Sequence, residues 1–140
     1  MLPRISPRLG GSTLLPKLVG PENAVQVIIV NALNNNTMMK SKDALSLGVV
    51  DAVFEPSDFL ENSVKFAANV LSGKNKIERK DFSKDSVGFE KAIATGKAAV
   101  AKKYSGAQIP SPLAALDLIK AAQNNSVRDG FAAETRCWLI

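Results

Sequence analysis

The sequence predicts a mostly α-helical chain of about seven helices and one strand. Three observations carry this expectation. Apolar residues recur at helical spacing through most of the chain, Gly, Pro or polar capping residues bound each such segment, and only one short run is β-branched without that spacing.

Gly10-Gly11 followed by Ser12-Thr13 reads as a turn feeding a short helix, which Gly20-Pro21 closes. From Glu22 to Leu33 apolar residues fall on nearly every face, which predicts a helix buried all round. Its β-branched content makes a strand the competing reading, but the length of the run and the acidic first turn favour helix. Asn34-Asn35-Asn36-Thr37 is a loop, and Ser41 caps a short helix ending at Gly48. Val49 to Phe54 is the expected strand.

Pro56-Ser57-Asp58 opens the next helix, in which Phe59, Leu60, Val64, Ala67, Ala68, Val70 and Leu71 follow helical spacing. A charged stretch of mixed sign, residues 73–86, reads as a solvated connector. Helical patterning resumes from Val87 to about Lys103. Ser111-Pro112 restarts it with Leu113, Leu116, Leu118, Ile119 and Ala122 on the buried face, and Ser126 with Asp129 resembles a capping box for a last helix. A lone strand has no ladder partner, so Val49–Phe54 is expected to pair with another chain or with a sheet in a longer parent protein.

The 140 residues, 46% of them apolar, suit one domain able to bury about two thirds of its unfolded surface. The absence of His excludes Ser-His-Asp and Cys-His nucleophiles, His-ligated metals and imidazole proton shuttles. Acid/base chemistry would rest on carboxylates, Lys or Tyr104. The single Cys137 excludes an intramolecular disulfide and cysteine-cluster zinc, which fits a reducing compartment. A net charge of +5 favours anionic partners, yet the basic residues are scattered and no aromatic ladder accompanies them, so no nucleic-acid partner is expected. No apolar run approaches the roughly 18 residues of a membrane span. The Arg- and Ser-containing N-terminus superficially matches an organellar transit peptide, but its Gly and Pro residues work against an amphipathic helix.

Pro7-Arg8-Leu9-Gly10-Gly11-Ser12-Thr13-Leu14-Leu15-Pro16-Lys17-Leu18-Val19-Gly20 resembles the crotonase (enoyl-CoA hydratase/isomerase) segment P-x-x-G-G-T-x-x-L-P-R-L-V-G. At the right distance beyond it, Ser41 to Val53 is similar to the family element A-x-E-A-x-x-x-G-L-V-D-x-V. Ile109 to Leu116 and the helix ending near Phe131-Ala132-Ala133-Glu134 resemble the stretch after the hydratase unit in multifunctional β-oxidation proteins. The chain departs from the family at Asn34-Asn35-Asn36, which stands near the usual LTG loop, and at Arg8, where small residues are common.

The resemblance implies the C-terminal portion of an α/β crotonase (ClpP/crotonase-like) fold. Residues 1–72 would form the end of the crotonase-like core, 73–86 the connector and 87–140 a C-terminal helical region. It also implies an acyl-CoA thioester substrate, no cofactor and no metal, and an acyl pocket walled in part by Arg8, Gly10 and Gly11. The partner would be a second copy of the chain or a missing N-terminal half, in the cytoplasm or, in a eukaryote, the mitochondrial matrix. Family hydration of a 2-enoyl thioester uses two glutamates around a water and two N–H groups on the oxyanion. The second glutamate stands about ten residues before the Gly pair, just ahead of Met1, so no catalytic residue and no hydratase activity of the chain alone are expected. Glu22, Asp43 and Asp51, the only acids in the first 54 residues, read as helix and strand-end charges. Arg8 and Lys17 could face CoA phosphates, though a solvated role is the simpler reading. The abrupt end Glu134 to Ile140 suggests a truncation or frameshift. A non-catalytic helical module that binds a partner through exposed apolar surface is the alternative.

Overall fold

The computed structural model describes residues 10–35, 37–107 and 109–137. Gly and Pro set the first two helix starts. Gly10 precedes α1 (Gly11–Val19), and Gly20 and Pro21 turn the chain into α2 (Pro21–Val25), where the missing proline N–H costs nothing in the first turn. The helix then widens to a π-helical stretch, Gln26–Val30, with the Asn31 N–H reaching back to the Gln26 carbonyl, and finishes as α3 (Asn31–Leu33). This run is not buried all round as its composition suggested. Val25, Ile29 and Leu33, four residues apart, are buried, while Val27, Ile28 and Val30 are half-buried and Gln26 is exposed.

α6 (Ser86–Lys103), α7 (Pro110–Ala121) and α8 (Val127–Cys137) complete the packed part of the molecule. Asp85 caps α6 by accepting the Gly88 N–H at 3.0 Å. Ser126 supplies the N-cap half of the expected box, its Oγ accepting the Asp129 N–H at 3.1 Å, and its hydroxyl donates to Asp129 Oδ2 at 2.7 Å. Helix α2 and the π-helical stretch pack on α6 and α7, and α1 packs on α7 and α8. The core is therefore built from both sides of the 73–86 stretch. Phe89, Ile93 and Val100 of α6 meet Leu116 and Ile119 of α7 and Val25 and Ile29 of the second helical run.

Residues 37–81 form a peripheral arm. It holds α4 (Ser41–Ser46), a 3-10 turn (Pro56–Asp58) and α5 (Phe59–Leu71), and neither helix has a buried residue. Phe54 packs edge-on against Phe66 with ring centroids 6.1 Å apart, and Arg79 closes the arm through Asp51 at 2.6 Å. The arm returns to the core through Phe82, whose ring fills the space beside Gly20 and carries the Lys80 ammonium 5.3 Å from its centroid. Beside it, the Asp81 carboxylate accepts the Ser83 N–H at 2.9 Å, and that bond holds its pKa below the ordinary aspartate value.

The expected strand at Val49–Phe54 does not form. The chain is 67% helical with no strand among the described residues, so it is mostly α but does not show the α/β crotonase fold that the resemblance implied. The reason lies in how α4 ends. Gly48 adopts φ 75°, its N–H bonds to the Leu45 carbonyl at 3.0 Å and the Val49 N–H to the Ala44 carbonyl at 2.9 Å, which is a Schellman closure. The backbone donor that would start a ladder is spent on terminating the helix, and β-branched content alone supplies no partner. No described helix is long and apolar enough to cross a membrane.

Candidate functional site

Helix α1 begins with a deficit. Gly10 has no side chain with which to cap it, and its first turn holds no acid, so its leading N–H groups need an acceptor from elsewhere. Glu134 of α8 supplies it. Its carboxylate is buried, accepting the Gly10 N–H on Oε2 at 2.6 Å and the Ser12 N–H on Oε1 at 2.9 Å. The Ser12 hydroxyl also donates to Oε1, and the Thr13 hydroxyl approaches it at 3.4 Å. The carboxylate sits at the positive end of the helix dipole, with three of the donors on Oε1 and the Gly10 N–H on Oε2. Held by donors on both oxygens, this group is an electrostatic fastening of α8 to the start of α1.

Two glycines let α8 come this close. Gly10 adopts φ 89°, a region that favours glycine, and the Phe131 ring occupies the space its Cβ would need. At Gly130 a Cβ would lie 2.4 Å from Thr13 Cγ2. Gly130→Ala should therefore destabilise the protein by about 1–2 kcal/mol, although alanine is the better helix former by about 1 kcal/mol. Urea unfolding gives the sign, and a stabilised variant would refute this packing.

Of the residues expected to wall an acyl pocket, Gly10 and Gly11 lie together at the start of α1, and Arg8 lies outside the described residues. Lys17 stands at the far end of α1 and donates to the Asn125 carbonyl at 2.8 Å. It borders a cleft of about 110 Å³ whose lining includes Asp81, Phe82, Phe89 and Gln123. Lys17 and Asp81 lie within electrostatic reach of each other there. Glu22 pairs with Lys91 at 2.9 Å, Asp51 pairs with Arg79, and Asp43 sits exposed in the first turn of α4. No group of three or more His, Cys, Asp or Glu that could hold a metal occurs among the described residues.

Glu134 is the residue that the sequence reading left without a role. The signal that could have found it is indirect: a helix opened by Gly10-Gly11 with no local cap, and a helical Gly130-Phe131-Ala132-Ala133-Glu134 stretch placing a small residue and an acid four apart on one face.

No family model matches the chain. Among curated proteins it is similar to fatty acid oxidation complex subunit alpha from several bacteria. It is 34% identical to that of Idiomarina loihiensis over 74 residues, 53% of this chain and 10% of the relative. It is 29% identical to that of a Psychrobacter species over 126 residues, and 30% identical to that of Pseudomonas putida over 125 residues; each match covers 86% of this chain and 17% of the relative. The chain thus spans about one sixth of the length of the Psychrobacter and Pseudomonas relatives, and over most of its own length it is similar to one stretch of such alpha subunits.

Proposed function

We propose that this chain serves fatty acid β-oxidation as a helical portion of an enoyl-CoA hydratase/isomerase-type multifunctional protein, and that it holds no hydratase centre of its own. The similarity to fatty acid oxidation complex alpha subunits over 86% of the chain supports the first part. The distribution of acids supports the second. In the family that the sequence resembles, hydration of a 2-enoyl thioester uses two carboxylates held around one water. Of the 13 acidic residues here, Glu134 alone is buried, and its oxygens are already committed to α1. On this reading acyl-CoA is handled together with further polypeptide that brings the glutamates and the oxyanion donors, Gly10 and Gly11 add to the wall of the acyl pocket, and the setting is the cytoplasm or the mitochondrial matrix.

The test is crotonyl-CoA hydration. The chain alone should give no turnover above the uncatalysed rate. Co-expression with the polypeptide that precedes the matched stretch in the Pseudomonas putida relative should give hydration that depends on this chain. Turnover by the isolated chain would overturn the second part, and a preceding polypeptide indifferent to this chain would overturn the first.

The exposed apolar residues of the arm favour the second reading, an interaction module that binds a partner without catalysis.

A further inference from the structure

Helix α5 carries an apolar seam that no described residue covers. Leu60, Val64, Ala67 and Leu71 follow one another at steps of four, three and four residues, the spacing that keeps one line of side chains against a neighbouring helix. All four are exposed, Leu60 at 75%, Val64 at 62% and Leu71 at 89%. The rotation of α5 about its axis is fixed from the other side, where Phe66 packs on Phe54, so the seam is held outward.

We infer that α5 pairs antiparallel with the α5 of a second copy of this chain, across a two-fold axis near the middle of the helix. Charge selects both the occupant and the direction. Glu55 and Asp58 stand at the N-terminal end of the seam and Lys74 and Lys76 beyond its C-terminal end, and none of the four makes an ion pair among the described residues. Glu61 and Lys65 are already paired along α5 at 2.5 Å and add no net charge between these ends. In an antiparallel pair the acidic end of each helix lies beside the basic end of the other, and the helix dipoles also oppose; a parallel pair would set acid against acid. With the axis between residues 65 and 66, Leu60 meets the partner copy's Leu71 and Val64 meets its Ala67, whose small side chain lets the helices approach. Such a surface is self-complementary, as a two-fold contact requires.

A 13-residue helix is about 20 Å long, and one seam of that length buries less than the roughly 800 Å² per partner of a stable complex. The pairing is therefore weak and concentration dependent. It is independent of the β-oxidation reading, because its test uses the purified chain with no acyl-CoA and no other polypeptide.

Sedimentation equilibrium from about 5 to about 500 μM should show a monomer–dimer equilibrium. Leu60→Lys and Leu71→Lys should each weaken the dimer at least tenfold, with an unchanged thermal midpoint at the dilute end of that range, where the monomer prevails, because both residues are exposed. Reversing Glu55 and Asp58 to Lys should weaken it too, and reversing Lys74 and Lys76 to Glu in the same chain should restore it. A monomer across the whole range, a trimer or larger species, a dimer indifferent to Leu60→Lys, or failure of the charge reversal to rescue would each overturn the inference.

Discussion

Glu134→Ala should lower the unfolding free energy by about 3–5 kcal/mol, because several buried donors lose their acceptor at about 1–3 kcal/mol each. The Gly10 and Ser12 N–H groups and the Ser12 hydroxyl would lose their acceptor at a helix end that has no cap of its own. That is a large share of the 5–15 kcal/mol that holds a typical domain together. Glu134→Gln should fall between wild type and alanine: its one carbonyl oxygen still accepts, while its amide group brings two donors toward donors. Urea unfolding of the three proteins checks the order, and an alanine variant within 1 kcal/mol of wild type would show that the fastening contributes little.

Phe89→Ala should cost about 3–5 kcal/mol through lost burial and the cavity left behind. Phe89 is 2% exposed and is among the largest fully buried side chains of the core, where α6 meets the second helical run and α7. It also backs the cleft beside Lys17, so part of the void can admit water and the loss should sit toward the lower end of that range. Thermal and urea unfolding together measure it. A loss below 1 kcal/mol would mean that α6 does not pack as described.

These two residues differ in how far the sequence reveals them. Phe89 lies in a segment whose helical patterning was read from Val87 onward, and the caps at Asp85, Ser126 and Pro21 act locally, so helix positions could be recognised from neighbouring residues alone. Glu134 answers a need 124 residues away, which local patterning does not register. The strand expected at Val49–Phe54 failed for a related reason: side-chain preference is local, whereas a ladder needs a partner, and the Gly48 closure takes the Val49 donor first. The second helical run was expected to be buried throughout because apolar content was read as burial. The arm makes the same point from the other side, since the helical spacing of α5 was evident but its apolar seam faces solvent. Of the candidate site, the sequence brought out the Gly10-Gly11 opening and not the carboxylate that occupies it.

The bond between Gly10 and Glu134 joins residues 124 positions apart, and this separation orders the events of folding. Closing so long a loop costs entropy that grows with the logarithm of its length, and the contact returns that cost only once both ends are in place. During synthesis, α1 emerges with its leading amides unsatisfied and stays so until α8 has left the ribosome. The start of α1 is therefore fastened only after α8 has been made, and its early turns depend on water until the chain meets itself.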